Sequence, residues 1–324
     1  MSEFNRSDHP LNKIREKGIK ELKKEWQTLY STNKDYAIQL INDQALEFPT
    51  LFLLLHELEV RKDSVDLNDR NQIVINHISN VLRGTDYGLT NESPFHDQHD
   101  TIVTSFLWIL ETGSDSIHSL DYIQVIDSTA IQVLLTFHQD YLQQLIRLLF
   151  FRNRHKSQRH YLLWAIYELG DPTVLLHFSN YLLSEYLTDR KYAKQLLSFI
   201  PEVQSASAEE TFDVFVNWYE HNSPYLVYTG ETNDVSPEHH PFRINYAAKY
   251  LGKPISHKTG NPLLRLSSTD VRNYRYFVQL SKQEQMTLAE KSLELRLQER
   301  SKWKQILTYS LQDQRLFLNG GGKP

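Results

Sequence analysis

Apolar residues recur every three to four positions along most of the chain, broken by short polar stops, a period that predicts helices. In residues 10–30, Leu11, Ile14, Leu22, Trp26 and Leu29 share one side of a predicted helix, and Pro10 suits its first position. Lys13, Lys17, Lys20 and Lys24 make the other side, read as a solvated basic face; a helix lying on a membrane surface shows the same pattern. Helices are predicted at 34–47 and 49–61, the second entered through Pro49. The stretch "NDRNQIVINHISNVLRG", 68–84, has Asn68 or Asp69 to cap it and Gly84 to close it. After a polar loop, 85–96, residues 97–199 read as helical except for stops at Gly113 and Gly170.

Two pieces of that stretch align. With "SQRHYLLWAIYEL" (157–169) set over "TDRKYAKQLLSFI" (188–200), Arg159 falls on Arg190, Tyr161 on Tyr192 and Leu169 on Ile200, an offset of 31 residues. One step back, Ile131, Leu134 and Leu135 fall on Leu162, Ala165 and Ile166. A helical pair repeating at this length is the sequence mark of an α-solenoid. The turn Leu169-Gly170-Asp171-Pro172 permits a left-handed cap at the glycine and opens the next helix at Asp171 and Pro172. With this turn, residues 97–221 resemble the HEAT-repeat family, although the second unit ends "SFIPEV" without the Gly-Asp pair. The resemblance implies stacked helical hairpins and a role as scaffold, adaptor or binding surface.

The texture changes at 222–262, which holds five of the 11 prolines. Tyr225, Tyr228, Phe242, Tyr246 and Tyr250 argue that this segment is ordered against the helical body, and "YLVYT" fits a short strand. Beyond 268, Met286, Ala289, Leu293 and Leu297 trace one face of a charged helix, and Trp303, Ile306 and Leu307 continue in the next. The expected fold is all-α, divided into an N-terminal helical region (1–96), HEAT-like repeats (97–221), an irregular ordered segment (222–267) and C-terminal helices with a tail (268–324).

Composition narrows the function classes. The 324-residue chain has no cysteine, which excludes disulfides, thiolate metal sites and cysteine nucleophiles. A net charge of −5 offers no global attraction to nucleic acid or anionic membrane. No apolar run approaches the ~20 residues of a membrane span, and the start "MSEFNRSDHP" has no signal-peptide core, so a cytoplasmic protein is expected.

Two strings carry candidate chemistry. In "FHDQHD", 95–100, His96 and His99 lie three apart beside Asp97 and Asp100, a spacing fit for one metal. The paired His-Asp is similar to the HD phosphohydrolases. That family's dyad closes an apolar helix, whereas this one precedes "TIVTSFLWIL". A hydrolase site needs His56 or His77 and Asp127 or Asp140 as well; the competing reading is a capped helix start, which needs no metal. In "RLLFFRNRHKSQRH", 147–160, Arg147, Arg152, Arg154, Lys156 and Arg159 gather with His155 and His160 and no acid, a ridge suited to an acidic protein or a phosphate backbone. Such a ridge predicts exposed, unpaired arginines. The adjacent His239 and His240 in "PEHHPF" fit a polar turn. No phosphate loop, dinucleotide fingerprint, nucleophile elbow or zinc-protease motif is present. The expectation is a non-enzymatic scaffold or adaptor without cofactor that binds a protein partner; the alternatives are nucleic-acid binding through 147–160 and a metal-dependent hydrolase at His96 and His99.

Overall fold

Gly18 divides the first predicted helix in two. Its φ of 141° is one that side chains rarely adopt, so α1 (Pro10–Lys17) ends before it and α2 (Ile19–Thr32) begins after it. The computed structural model describes residues 8–61, 65–84, 99–231 and 240–318; the side chains of His99, 134–140 and Leu311 fall outside the described set. Within α1 and α2, Leu11, Leu22 and Trp26 are buried and the four lysines are exposed, as their spacing predicts. Among the described residues the fold is all-α apart from one small two-stranded sheet. Among the described residues no helix is long and apolar enough to cross a membrane. Two compact units form, Met1–Arg152 and Asn153–Pro324.

In the first unit, α3 (Lys34–Asn42), α4 (Phe48–Glu59) and α5 (Asp69–Arg83) follow. Asn68 caps α5 by accepting from the Asn71 N–H at 3.0 Å, and Gly84 closes it at φ 67°. Polar side chains tie the helices together where apolar ones leave backbone groups unmet. Asn12 donates to the Ala45 carbonyl (3.0 Å) and accepts from the Thr50 hydroxyl (2.8 Å), and Asn71 donates to the Ile41 carbonyl (2.8 Å). The helix α6 (His99–Gly113) packs against α4 and α5. Its Trp108 meets Phe48 edge-on at 6.0 Å, and Tyr122 of α7 (Leu120–Arg154) meets Phe52 edge-on at 5.0 Å. A methyl group at Gly113 would stand 2.7 Å from both the Phe48 ring and the Tyr122 hydroxyl, so the rings close over this position only because it is glycine.

One distance reshapes α7. Asp127 and Arg152 sit 25 residues apart in that helix, yet their charged groups are 3.3 Å apart. A straight helix would separate them by about 37 Å. The helical chain therefore doubles back between them. The sequence pattern predicts no stop there.

In the second unit, α8 (His160–Glu168) leads to the Gly-Asp-Pro turn. Gly170 has φ 61°, the Asp171 carboxylate accepts from the Thr173 N–H at 2.9 Å, and α9 (Thr173–Ser179) starts directly after Pro172, continuing as a 3-10 turn over Asn180–Leu183. α10 (Leu187–Leu196), α11 (Pro201–Ser205) and α12 (Thr211–Asn222) complete the helices before the irregular segment. The stop expected at Gly170 falls at 169–172, and a second break lies at 184–186.

The apolar part of the 31-residue alignment has a physical counterpart. Leu162, Ala165, Ile166 and Leu169 are buried, and so are Ala193, Leu196, Leu197 and Ile200. Its first ring pair does not match: Tyr161 is exposed and Tyr192 is buried. The arginines diverge too, since Arg190 is exposed and bonds the Ser184 carbonyl (2.9 Å) whereas half-buried Arg159 lies over the Tyr192 ring.

The described residues of 222–262 form a small sheet and a helix. β1 (Leu226–Tyr228) pairs antiparallel with β2 (Phe242–Ile244), Tyr228 opposite Phe242, and α13 (Tyr246–Leu251) follows. Tyr225, Phe242 and Tyr250 are buried, and Tyr228 and Tyr246 are half-buried. The last helices are α14 (Ser268–Phe277), α15 (Lys282–Gln298), α16 (Arg300–Ile306) and α17 (Leu311–Leu318). Tyr250 stacks on Phe277 at 4.6 Å, beside Leu288 and Ala289. On α15 the buried stripe is Leu288, Ala289, Ser292 and Leu293, because the helix lies against α13; Met286 and Leu297 of the predicted face are exposed.

Candidate functional site

The five basic residues of 147–160 do not form one patch. Arg147 is exposed on α7, while Arg152 is fully buried against Asp127. Burial pushes the Asp127 carboxyl up to about 6 and the Arg152 guanidinium down, each opposed by the charge of the other. The expectation that Arg152 stands exposed and unpaired is thus corrected: the reversal of α7 folds it back into the first unit.

Arg154, Lys156 and Arg159 lie in the second unit, in a turn fastened to the start of α10. Asn153 donates to the Thr188 carbonyl at 3.3 Å. Arg154 pairs with the buried Asp189 carboxylate at 2.6 Å and covers the Tyr186 ring at 4.9 Å, so it too has a partner. The Ser184 hydroxyl donates to the same carboxylate oxygen at 3.2 Å. Arg159 places its guanidinium 4.7 Å from the centre of the Tyr192 ring. Between these anchors, Lys156 is exposed with φ 51°; among the described residues it alone, glycines aside, takes a positive φ.

Next to this turn the surface is apolar. Tyr161 and Trp164 lie one turn apart on the outer side of α8 and are 62% and 42% exposed. His160 meets the Tyr161 ring at 5.6 Å. Farther along, Glu168 accepts from the Tyr228 hydroxyl at 2.9 Å. At the entry to α10, Leu183, Tyr186 and Leu187 are each more than half exposed. These rings and aliphatic side chains are held in water beside the fixed Arg154 and Arg159.

No protein-family model, curated protein or solved structure matches the chain.

The rings of this surface were legible in one respect. His160, Tyr161, Trp164 and Glu168 share a face at helical spacing, and the polar ends of that set mark it as the outer one. Its partner surface at 183–187 had no such mark, since an apolar run in a turn reads equally as core.

The histidine–aspartate string ends at the start of α6, where Asp100 is exposed. His96, Asp97 and the side chain of His99 lie outside the described residues, as does the side chain of Asp140. Of the other residues considered for a metal site, His77 and Asp127 have partners of their own. His56 is exposed on α4. His77 is buried, its Nε2–H donating to Thr129 Oγ1 at 2.9 Å, and Asp127 faces Arg152. Among the described residues no three His, Cys, Asp or Glu gather to hold a metal ion. His240 sits in the turn before β2, its N–H donating to Glu231 at 3.1 Å, while His239 is outside the described residues.

Sequence reasoning nominated no role for Lys249. This fully buried ammonium donates to Asn222 Oδ1 (2.6 Å) and Glu290 Oε1 (2.5 Å), tying α13 to the end of α12 and to α15. Burial pushes its pKa down while Glu290 resists the shift. Both neighbours accept hydrogen bonds from it, so the group serves as a strut.

Proposed function

We propose that the protein is a non-enzymatic adaptor that holds a protein partner on the surface made by the start of α8 and the entry to α10. The observation that carries this reading is the pair Tyr161 and Trp164, exposed on one helix face beside a turn fixed by Arg154 and Arg159. Tyr, Trp and Arg are the residues on which binding energy concentrates, and side chains held in place before binding lose less entropy. Protein is favoured over nucleic acid because the ridge is depleted of free cations: Arg152 is interior, and Arg154 is neutralised by Asp189. A HEAT-like arrangement is part of the proposal, supported by the buried positions that recur at 162/193, 165/196, 166/197 and 169/200.

Affinity capture with wild-type protein and with Tyr161→Ala/Trp164→Ala tests the reading. Both side chains are exposed, so thermal unfolding of the double variant should stay within about 1 kcal/mol of wild type. Proteins retained by the wild type should be lost from the variant by tenfold or more. Equal retention by the two would overturn the proposal.

A further inference from the structure

We infer that the occupant of this surface is an acidic protein segment carrying an apolar side chain, docked with its apolar group on Tyr161 and Trp164 and its carboxylates on Lys156 and Arg190. The inference rests on the adaptor reading and adds the chemistry of the partner.

Cations outnumber exposed acids around the rings, although Glu168, on the same face of α8, is exposed. Residues 153–164 contain no acid, and in 183–192 the carboxylate of Asp189 is buried under Arg154, leaving Glu185 as the exposed acid. Lys156, Arg190 and Lys191 are exposed. The contacts of Arg154 with Tyr186 and of Arg159 with Tyr192 bring the turn before α8 and the start of α10 together, so the segments that carry these cations and the exposed rings are joined. A positive rim around an apolar centre complements an acidic segment with an apolar anchor, and repels a basic one.

The backbone supplies a second, independent observation. Lys156 occupies the left-handed region, where glycine or asparagine sits without strain and lysine does not. Strain of this kind collects at functional sites when the surroundings impose it. Lys156 stands just past the end of α7, its N–H donating to the Asn153 carbonyl at 3.2 Å between the two arginine anchors, and it is an exposed charge. Glycine would sit there without strain, whereas the lysine adds an exposed cation.

A library of random 16-residue peptides displayed on phage, selected on the immobilised full chain, tests the inference. The selected peptides are then made synthetically, labelled with fluorescein and measured by anisotropy beside the oligonucleotide dT16. Selected peptides should combine Asp or Glu with an aromatic or aliphatic residue, bind more weakly as salt rises, and lose tenfold or more in affinity against Lys156→Ser/Arg190→Ser. Lys156→Gly should lose affinity while its unfolding temperature holds or rises, because glycine relieves the turn. Neutral or basic peptides, or binding indifferent to the Lys156 variants but lost in Tyr161→Ala/Trp164→Ala, would overturn the acidic partner and leave the adaptor reading standing. No selected peptide, or peptides indifferent to Tyr161→Ala/Trp164→Ala, would overturn both. Tighter binding of dT16 with the same dependence on Lys156 would replace the acidic protein with a phosphate backbone.

Discussion

His77 is held neutral in the first unit. Thr129 donates its hydroxyl proton to the Val125 carbonyl and accepts the His77 Nε2–H, and burial lowers the imidazole pKa to about 4. A depressed histidine pKa stabilises the fold above its unfolded value of about 6.5, and that contribution is lost as pH falls towards 4. The full loss is on the order of 3 kcal/mol. Asp127 acts with the opposite sign. Its folded pKa is pushed up to about 6, so its contribution is fully present below about 3.8 and is lost as pH rises through 6. Urea unfolding at pH 7 and pH 4.5 should therefore show a smaller acid loss in His77→Leu than in wild type, and a larger one in Asp127→Asn. Equal losses in all three proteins would contradict these environments. Neither role was legible in the sequence, where His77 and Asp127 were two of several free choices for a metal site. Their partners, Thr129 and Arg152, come from distant positions that no local spacing predicts. The arginines of 147–160 teach the same point, because a run of like charge does not reveal which members find a buried carboxylate.

At the scale of elements, helix ends written in glycine, proline and capping side chains were legible. Asn68, Gly84 and the turn at Gly170 lie where the sequence indicates. Gly18 was passed over because an amphipathic face continues on both sides of it, with Leu11 before and Leu22 after. The reversal of α7 carries no glycine or proline at all between Asp127 and Arg152, so periodicity alone reads one helix. Gly113 shows an element boundary set by packing. It ends α6 beneath Phe48 and Tyr122, and the Tyr122 hydroxyl donates to its carbonyl at 2.8 Å. Gly113→Ala should lower stability by about 1–3 kcal/mol through overpacking, despite alanine's better helix propensity. A thermal melt equal to or above that of wild type would show that the ring cluster yields to accommodate a methyl group.

For the whole molecule, an acidic net charge of −5 coexists with a local cationic rim in the second unit. The overall balance therefore predicts little about what this one surface attracts. The all-α class was legible because helical periodicity dominates, whereas the division at residues 152 and 153 falls inside the stretch assigned to α7 and has no compositional mark. Function rests on whether α8 meets a partner in its native setting. The most direct measurement places the photo-crosslinker p-benzoylphenylalanine at Trp164 in one sample and at Val60, an exposed residue of the first unit, in another. Irradiation in cells should give a discrete higher-mass adduct from position 164, which disappears when Tyr161→Ala is added, and none from position 60. No adduct from 164, or the same adducts from both positions, would contradict the account.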